Sequence, residues 1–213
     1  AAGVASGIKA SGRLDLAVVA NLGPRFAAAG VFTRNRVVAA PVRWSREAVA
    51  DGQLRAVVLN SGGANACTGQ PGLTDAQVMA ETTAAALGVE AGDVAVCSTG
   101  LIGTRLPMTE VTSGIGRACA QLAATGGEAA AAAIMTTDTV IKQSAHQDGG
   151  WTIGGMAKGA GMLAPGLATM LVVLTTDACL EPSALELALR AATRTSFERA
   201  DADGCMSTND TVL

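Results

Sequence analysis

The sequence predicts an α/β or α+β fold, with helices packed in layers on β-sheets. Three observations predict it. Short β-branched runs and helical stretches intermix along the whole chain without a strict βαβ rhythm. Of the 213 residues, 49% are apolar and only 15% charged, enough to close a core. The chain carries 44 Ala and 26 Gly against three Phe, two Trp and no Tyr, which calls for a core of small aliphatic side chains and closely packed backbones.

The elements follow in order. Residues 15–20 (DLAVVA), 28–33 (AAGVFT) and 55–60 (RAVVLN) are apolar, β-branched runs bounded by Gly, Pro and Asn, and read as strands. Residues 74–87 read as a helix. Thr74 is placed to cap it, Asp75 suits the positive end of its dipole, and Gly88 stops it. Residues 93–98 (DVAVCS) form a strand that a turn at Thr99-Gly100 closes. Helices are expected over 109–124 and 128–135, and strands over 151–156 and 168–175 (ATMLVVLT). Residues 181–199 form an amphipathic helix with Leu185, Leu189, Ala192 and Phe197 on one face. The last residues, Thr211-Val212-Leu213, read as the start of an apolar strand, so the chain is expected to be the N-terminal fragment of a longer protein.

Composition removes several functions. A net charge of −3 and so few rings exclude the usual nucleic-acid binder. Apolar runs such as 170–174 fall far short of the roughly 20 residues a bilayer requires. The N-terminus AAGVASGIKA lacks a charged segment followed by a long apolar one, so no secretory signal and a cytoplasmic location are expected. Five cysteines, Cys67, Cys97, Cys119, Cys179 and Cys205, with no CxxC pair, argue against disulfides or a zinc site; buried, reduced thiols are expected. The single histidine, His146, lies in a polar stretch read as a solvated loop, so no Ser-His-Asp triad is available. GGMAKGAG has Gly159 where a phosphate loop needs Ser or Thr after its Lys, and no complete GxGxxG occurs.

Two stretches carry chemistry. In the first, KGAGMLAPGLATMLVVLTTD, a glycine-rich run delivers Thr169 into the most apolar strand. A Thr hydroxyl is a poor nucleophile without a base. A cut between Ala168 and Thr169 would supply one, because the new α-amine has an ordinary pKa of about 7.7–8.0. A plain glycine-rich loop entering a core strand fits the same residues. In the second, CSTGLIG, a backbone turn at Thr99-Gly100 can aim a hydroxyl and an N–H at one point, as an oxyanion hole does. A simple strand-ending turn fits equally.

These residues bring a resemblance into view. SGIKASGRLDLAVV, GVFTRNRVVAAPV, VLNSGGANACTG, VAVCSTGLIG, IMTTDT, GGMAKGAGMLAPGLATML, LTTDA and STNDTVL occur in that order from end to end. Together they resemble the ornithine acetyltransferase family, the bifunctional glutamate N-acetyltransferases of cyclic arginine synthesis. The resemblance covers the whole chain and about half the family's length. It implies mixed sheets packed with helices in an N-terminal-nucleophile fold, and self-cleavage into an α part, residues 1–168, and a β part beginning at 169 and running here to 213. It implies that Thr169 is the nucleophile, that Thr99 and Gly100 form the oxyanion hole, and that Thr136, Lys158 and Thr169 contact substrate. The implied reaction moves acetyl from N-acetylornithine to glutamate by a ping-pong route through acetyl-Thr169. It uses no cofactor and no metal, and family members differ in whether acetyl-CoA also donates. An α2β2 assembly is implied as well. Two other readings use the same residues: an N-terminal-nucleophile peptidase or amidohydrolase that gives the acyl group to water, and a non-enzymatic scaffold domain in which Thr169 is core.

Overall fold

In a computed structural model, residues 1–164, 167 and 169–213 are described. Among them the chain builds two sheets. The first has the order β1 (Ala2–Val4), β2 (Leu16–Ala20), β4 (Ala56–Gly63), β5 (Val94–Leu101), antiparallel except for the parallel pair β4/β5. The second has the order β3 (Val31–Phe32), β9 (Thr211–Val212), β8 (Leu171–Thr176), β7 (Trp151–Lys158), β6 (Lys142–Asp148), antiparallel except for β8/β9.

Strand periodicity explains how the layers stack. Leu16, Val18, Val58, Val94 and Val96 face helices α2 (Gly69–Leu87) and α3 (Met108–Ala120). Their alternates Ala17, Val57, Leu59, Ala95 and Cys97 face inward, onto α4 (Gly127–Ala133) and onto Met156, Leu171 and Val173 of the second sheet. Met170 and Val172 point the other way, toward Leu189 of α5 (Pro182–Thr195). The order is helices, sheet, sheet, helix. Alanine on the inner face of the first sheet and along α4 lets these layers approach closely, which is where the Ala-rich composition goes. Helix α1 (Ala40–Ala48) closes one side: its Ser45 hydroxyl donates to the Val96 carbonyl at 2.7 Å.

Several expectations need correction. Helix α2 begins at Gly69, not at Thr74. Pro71 sits in its first turn, where the missing N–H costs no helical bond, and Gly72 fits against Thr68, where a Cβ would lie 1.9 Å from Oγ1. Thr74 is therefore an interior residue whose hydroxyl bonds back to the Gln70 carbonyl, while Gly88 does stop the helix in a left-handed conformation. Strand β5 does not close at Thr99-Gly100 but runs through them to Leu101, paired with β4 across an irregularity at Gly62–Gly63. Strand β8 begins at Leu171, later than residue 168. Helix α5 ends at Thr195, before a short turn at Phe197–Arg199, and it buries Thr193 where Ala192 was expected. His146 belongs to β6, a polar edge strand, where it stays exposed with its ring 6.1 Å from that of Trp151. Only Cys97 is buried; Cys67, Cys179 and Cys205 lie exposed in connecting segments. Strands β1 and β6 and helix α1 had no clear sequence signal.

Asp15 anchors the entry to β2. Its fully buried carboxylate accepts N–H bonds from Ser6 (2.6 Å), Gly7 (3.1 Å) and Lys9 (2.9 Å) and the Ser6 hydroxyl (2.8 Å). Burial pushes this carboxyl up, but the amides of Lys9, Ser6 and Gly7 and the Ser6 hydroxyl together hold it below the usual range. Asp15→Ala in the full-length protein strands these donors and should cost about 2–4 kcal/mol in urea unfolding. Because the folded carboxyl is the stronger acid, its contribution is complete at neutral pH. It fades only as pH falls through and below the ordinary carboxylate range. A midpoint unchanged by the substitution would show that the bonds contribute nothing net.

Candidate active site

The site lies where the parallel strands β4 and β5 end. There the polar residues are buried and bonded to one another. Ser98 Oγ donates to Asn60 Oδ1 (2.6 Å), and Asn60 Nδ2 donates to the Gly63 carbonyl (2.9 Å). Asn209, just before β9, donates from Nδ2 to the carbonyls of Ala64 (2.6 Å) and Ser98 (2.9 Å). This frame ties the segment before β9 to the end of β5 and fixes the backbone just before Thr99.

Thr99 and Lys158 are brought together. Lys158 ends β7 with its side chain 1% exposed, and its Nζ lies 3.4 Å from Thr99 Oγ1 and 4.0 Å from Asp138 Oδ2. Burial pushes the Lys158 ammonium down, while Asp138 opposes that shift. Asp138 is itself well supplied. It accepts the N–H of Gly159 (2.8 Å) and of Thr136 (3.3 Å) and pairs with Lys142. Burial alone would raise its pKa; the Lys142, Gly159 and Thr136 bonds bring the carboxyl below its ordinary value. Thr136 thus reaches the cluster through its backbone. Lys9 closes this end by donating from Nζ to the carbonyls of Met135 (2.7 Å) and Leu14 (2.8 Å).

Thr169 stands beside this cluster. Lys158 is paired with Leu171 across β7 and β8, and a Cβ placed on Gly159 would lie 3.1 Å from the Thr169 carbonyl oxygen. A side chain at 159 would press the Thr169 carbonyl and Leu163 aside by a few tenths of an ångström. The Thr169 N–H donates to the Met162 carbonyl (2.9 Å), and among the described residues its buried Oγ1 has no partner. Ala168, on the other side of the predicted cut, lies outside the described residues.

Gly100 has φ +131°, and an added Cβ would meet backbone atoms of Gly62 and Gly63 at 2.4–2.7 Å. Only glycine fits this conformation and this approach. The expected turn is instead an irregular continuation of the sheet, and it leaves Thr99 buried and Gly100 exposed at the strand's end.

Sequence reasoning missed Asp138, Asn209 and Asp210. All three lie in stretches quoted above, IMTTDT and STNDTVL. Asn209 and Asp210 stand among small hydroxyl residues beside the apolar strand β9, and Asp138 stands among threonines in the bend between α4 and β6; burial forces each to find a partner. Among the described residues no group of three or more His, Cys, Asp or Glu side chains is arranged to hold a metal ion.

The model of the ArgJ family matches residues 1–213. The chain is 65% identical over 213 residues to the arginine biosynthesis bifunctional protein ArgJ of Streptomyces coelicolor, covering all of this chain and 56% of that protein. It is 63% identical over 221 aligned residues to the protein of the same description from Mycobacterium leprae, covering 54% of it. The chain therefore spans about half the length of these relatives. Among solved structures, ornithine acetyltransferase of Mycobacterium tuberculosis in complex with ornithine superposes with a TM-score of 0.76 at 57% identity, over 80% of this chain and 91% of that one. The ArgJ bifunctional protein of Bacillus halodurans gives a TM-score of 0.68 at 39% identity, over 80% and 89%.

Proposed function

The chain belongs to the ArgJ family, and from that premise we propose that the whole protein moves acetyl from N-acetylornithine to glutamate through acetyl-Thr169. The observation that carries this reading is the buried Lys158–Thr99 contact at 3.4 Å beside a Thr169 hydroxyl that has no structural bond among the described residues. A core threonine satisfies its hydroxyl, usually on a backbone carbonyl; one left free at a polar cluster is available for chemistry.

In this reading the chain is cut between Ala168 and Thr169, giving an α part, 1–168, and a β part from 169. The free amine of Thr169 takes the proton of its own hydroxyl as Oγ1 attacks the acetyl carbonyl. Thr99 and the Gly100 N–H stabilise the oxyanion; ornithine leaves, and glutamate takes the acetyl from the ester. Lys158 serves as a fixed positive charge for a substrate carboxylate, and Thr136 contacts substrate. No cofactor enters the scheme. The partners are the two parts of the same precursor, as α2β2, and a cytoplasmic location goes with the reading.

The test is incubation of the full-length protein with N-acetylornithine, with and without glutamate. Transfer requires that acetylglutamate and ornithine form in equal amounts, with little acetate when glutamate is absent. Rapid acetate release independent of glutamate would favour the hydrolase. Replacing N-acetylornithine with acetyl-CoA in the same assay decides whether it is a second donor.

The pH dependence has a definite sign. The active form of the Thr169 amine is neutral, so acetyl transfer should rise with pH through one ionisation. Its midpoint should fall below the ordinary amine value of about 7.7–8.0, because burial and the nearby Lys158 charge both disfavour the ammonium. His146→Gln should leave the limb in place, since His146 is exposed on the edge strand β6. Loss of the limb in that variant replaces the amine with a histidine as base.

A further inference from the structure

The amine cannot be the base for its own creation. Before the cut, the Thr169 nitrogen is an amide without a basic lone pair, and its N–H is held by the Met162 carbonyl at 2.9 Å. Some other group must take the hydroxyl proton when Thr169 attacks the preceding carbonyl carbon. Three buried charged side chains stand around the site. Asp138 is occupied by Gly159, Thr136 and Lys142 and lies against Lys158. Lys158 faces Thr99 and Asp138. Asp210 remains.

Asp210 is fully buried between Asn209 and strand β9. One carboxylate oxygen, Oδ1, accepts the Met170 N–H at 3.0 Å, which brings the carboxyl to the residue next to Thr169. The other, Oδ2, is buried and has no hydrogen-bond partner among the described residues, and the same holds for Thr169 Oγ1. Buried polar atoms are nearly always satisfied. Here a hydroxyl and a carboxylate oxygen, each without a partner and beyond hydrogen-bond distance of one another, flank the Met170 amide, so proton transfer requires the Thr169 side chain to swing toward Oδ2.

We propose that Asp210 is the base of self-cleavage: Oδ2 takes the proton from Thr169 Oγ1 in the uncut precursor. This inference rests on the N-terminal-nucleophile reading above. As the proton moves to Oδ2, Oγ1 bonds to the carbonyl carbon preceding Thr169. The C–N bond to Thr169 then breaks, and Asp210 returns the proton to the departing nitrogen. The product is an ester on Oγ1 and a free α-amine, with the carboxylate restored. Water hydrolyses the ester, its OH going to the carbonyl carbon and its H to Oγ1. From then on the amine is the base for acetyl transfer.

The electrostatics suit the role. Burial pushes the Asp210 carboxyl up to about 6, against the pull of the Met170 amide, the nearby Thr33 and Ser207 hydroxyls and the Lys158 charge, so it is ionised at neutral pH yet more basic than an ordinary carboxylate. The charged group acting on it is Lys158 from β7, with Asp138 and Lys142 behind. The Thr33 N–H donates to the Asp210 carbonyl at 2.9 Å. Cys97 of β5, on the Thr211 side, has a thiol pushed up to about 12 and stays neutral.

The test follows cleavage of freshly translated full-length precursor by intact-mass spectrometry, for wild type, Asp210→Asn and Asp210→Glu, between pH 5 and 8. Asn keeps an oxygen for the Met170 N–H, so the fold is retained, as circular dichroism will record. The wild type should mature faster with rising pH through a midpoint near 6. Asp210→Asn should mature about 100-fold or more slowly and lose that limb, the range that loss of a general base produces. Asp210→Glu should mature with a displaced midpoint. A folded Asn variant that matures at the wild-type rate, or keeps the limb, overturns the assignment. If the Asn variant does not fold, an unshifted limb in Asp210→Glu overturns it. A wild-type protein that stays one chain while remaining folded removes the N-terminal-nucleophile reading itself.

Discussion

Thr169→Ala in the full-length protein should leave a single uncut chain and abolish acetyl transfer. One hydroxyl is assigned both jobs: attack on the preceding carbonyl during maturation, and attack on the acetyl carbonyl during turnover. Without it no acyl intermediate forms at all, so the loss should reach the background of the assay and exceed the roughly 10²–10³-fold expected from losing one oxyanion donor. Alanine removes one hydroxyl and one methyl group. Because Oγ1 holds no bond among the described residues, stability should change little. Thr169→Ser restores a hydroxyl on a freer side chain and should recover part of both activities. A denaturing gel and a transfer assay decide the matter together. An alanine variant that still runs as two chains would falsify the cleavage site. One that stays uncut yet transfers acetyl would separate the two roles.

How much of this was legible beforehand depended on which interaction fixed each element. Strands such as β2, β4 and β5 are set by β-branched residues packed on two faces, and hydrophobic runs revealed them. The polar edge strand β6 is set only by pairing with β7, from Lys142↔Ala157 to Asp148↔Trp151, so KQSAHQD looked like a loop. Helix α1, opened by Pro41 and carrying charges along a short length, gave no period long enough to read. The site divides in the same way. Thr99, Gly100, Lys158 and Thr169 stand in distinctive motifs, and the fold brings Lys158 to 3.4 Å from Thr99. The acids Asp138 and Asp210 gain their meaning from burial and from distant amides, those of Gly159 and Met170, which are 21 and 40 residues away in sequence. No local pattern records a partner at that distance.

Gly100→Ala should produce the second large effect, and by a mixed route. If Gly100 supplies only an N–H to the oxyanion, the loss falls on kcat, with KM little changed, by about 10²–10³-fold. The structure adds a steric term. At φ +131° an alanine is strained, and its Cβ would sit 2.4 Å from the Gly62 carbonyl carbon and 2.6 Å from the Gly63 nitrogen. Both obstacles are backbone on the paired strand, so no side chain can yield; the ends of β4 and β5 must separate. That separation would carry Thr99 away from Lys158 and loosen the Asn60–Ser98 bond beneath. Gly100→Ala is therefore expected to lower thermal stability as well as kcat, and to slow maturation if the cut uses the same donors. Thr99→Val separates the terms. It removes the hydroxyl while keeping shape and the strand's backbone, so it should lower kcat by a comparable factor with a smaller change in melting temperature. A Gly100→Ala protein that matures normally, melts as the wild type does and turns over at the wild-type rate would show that β5 tolerates the Cβ and that this strand end takes no part in the chemistry.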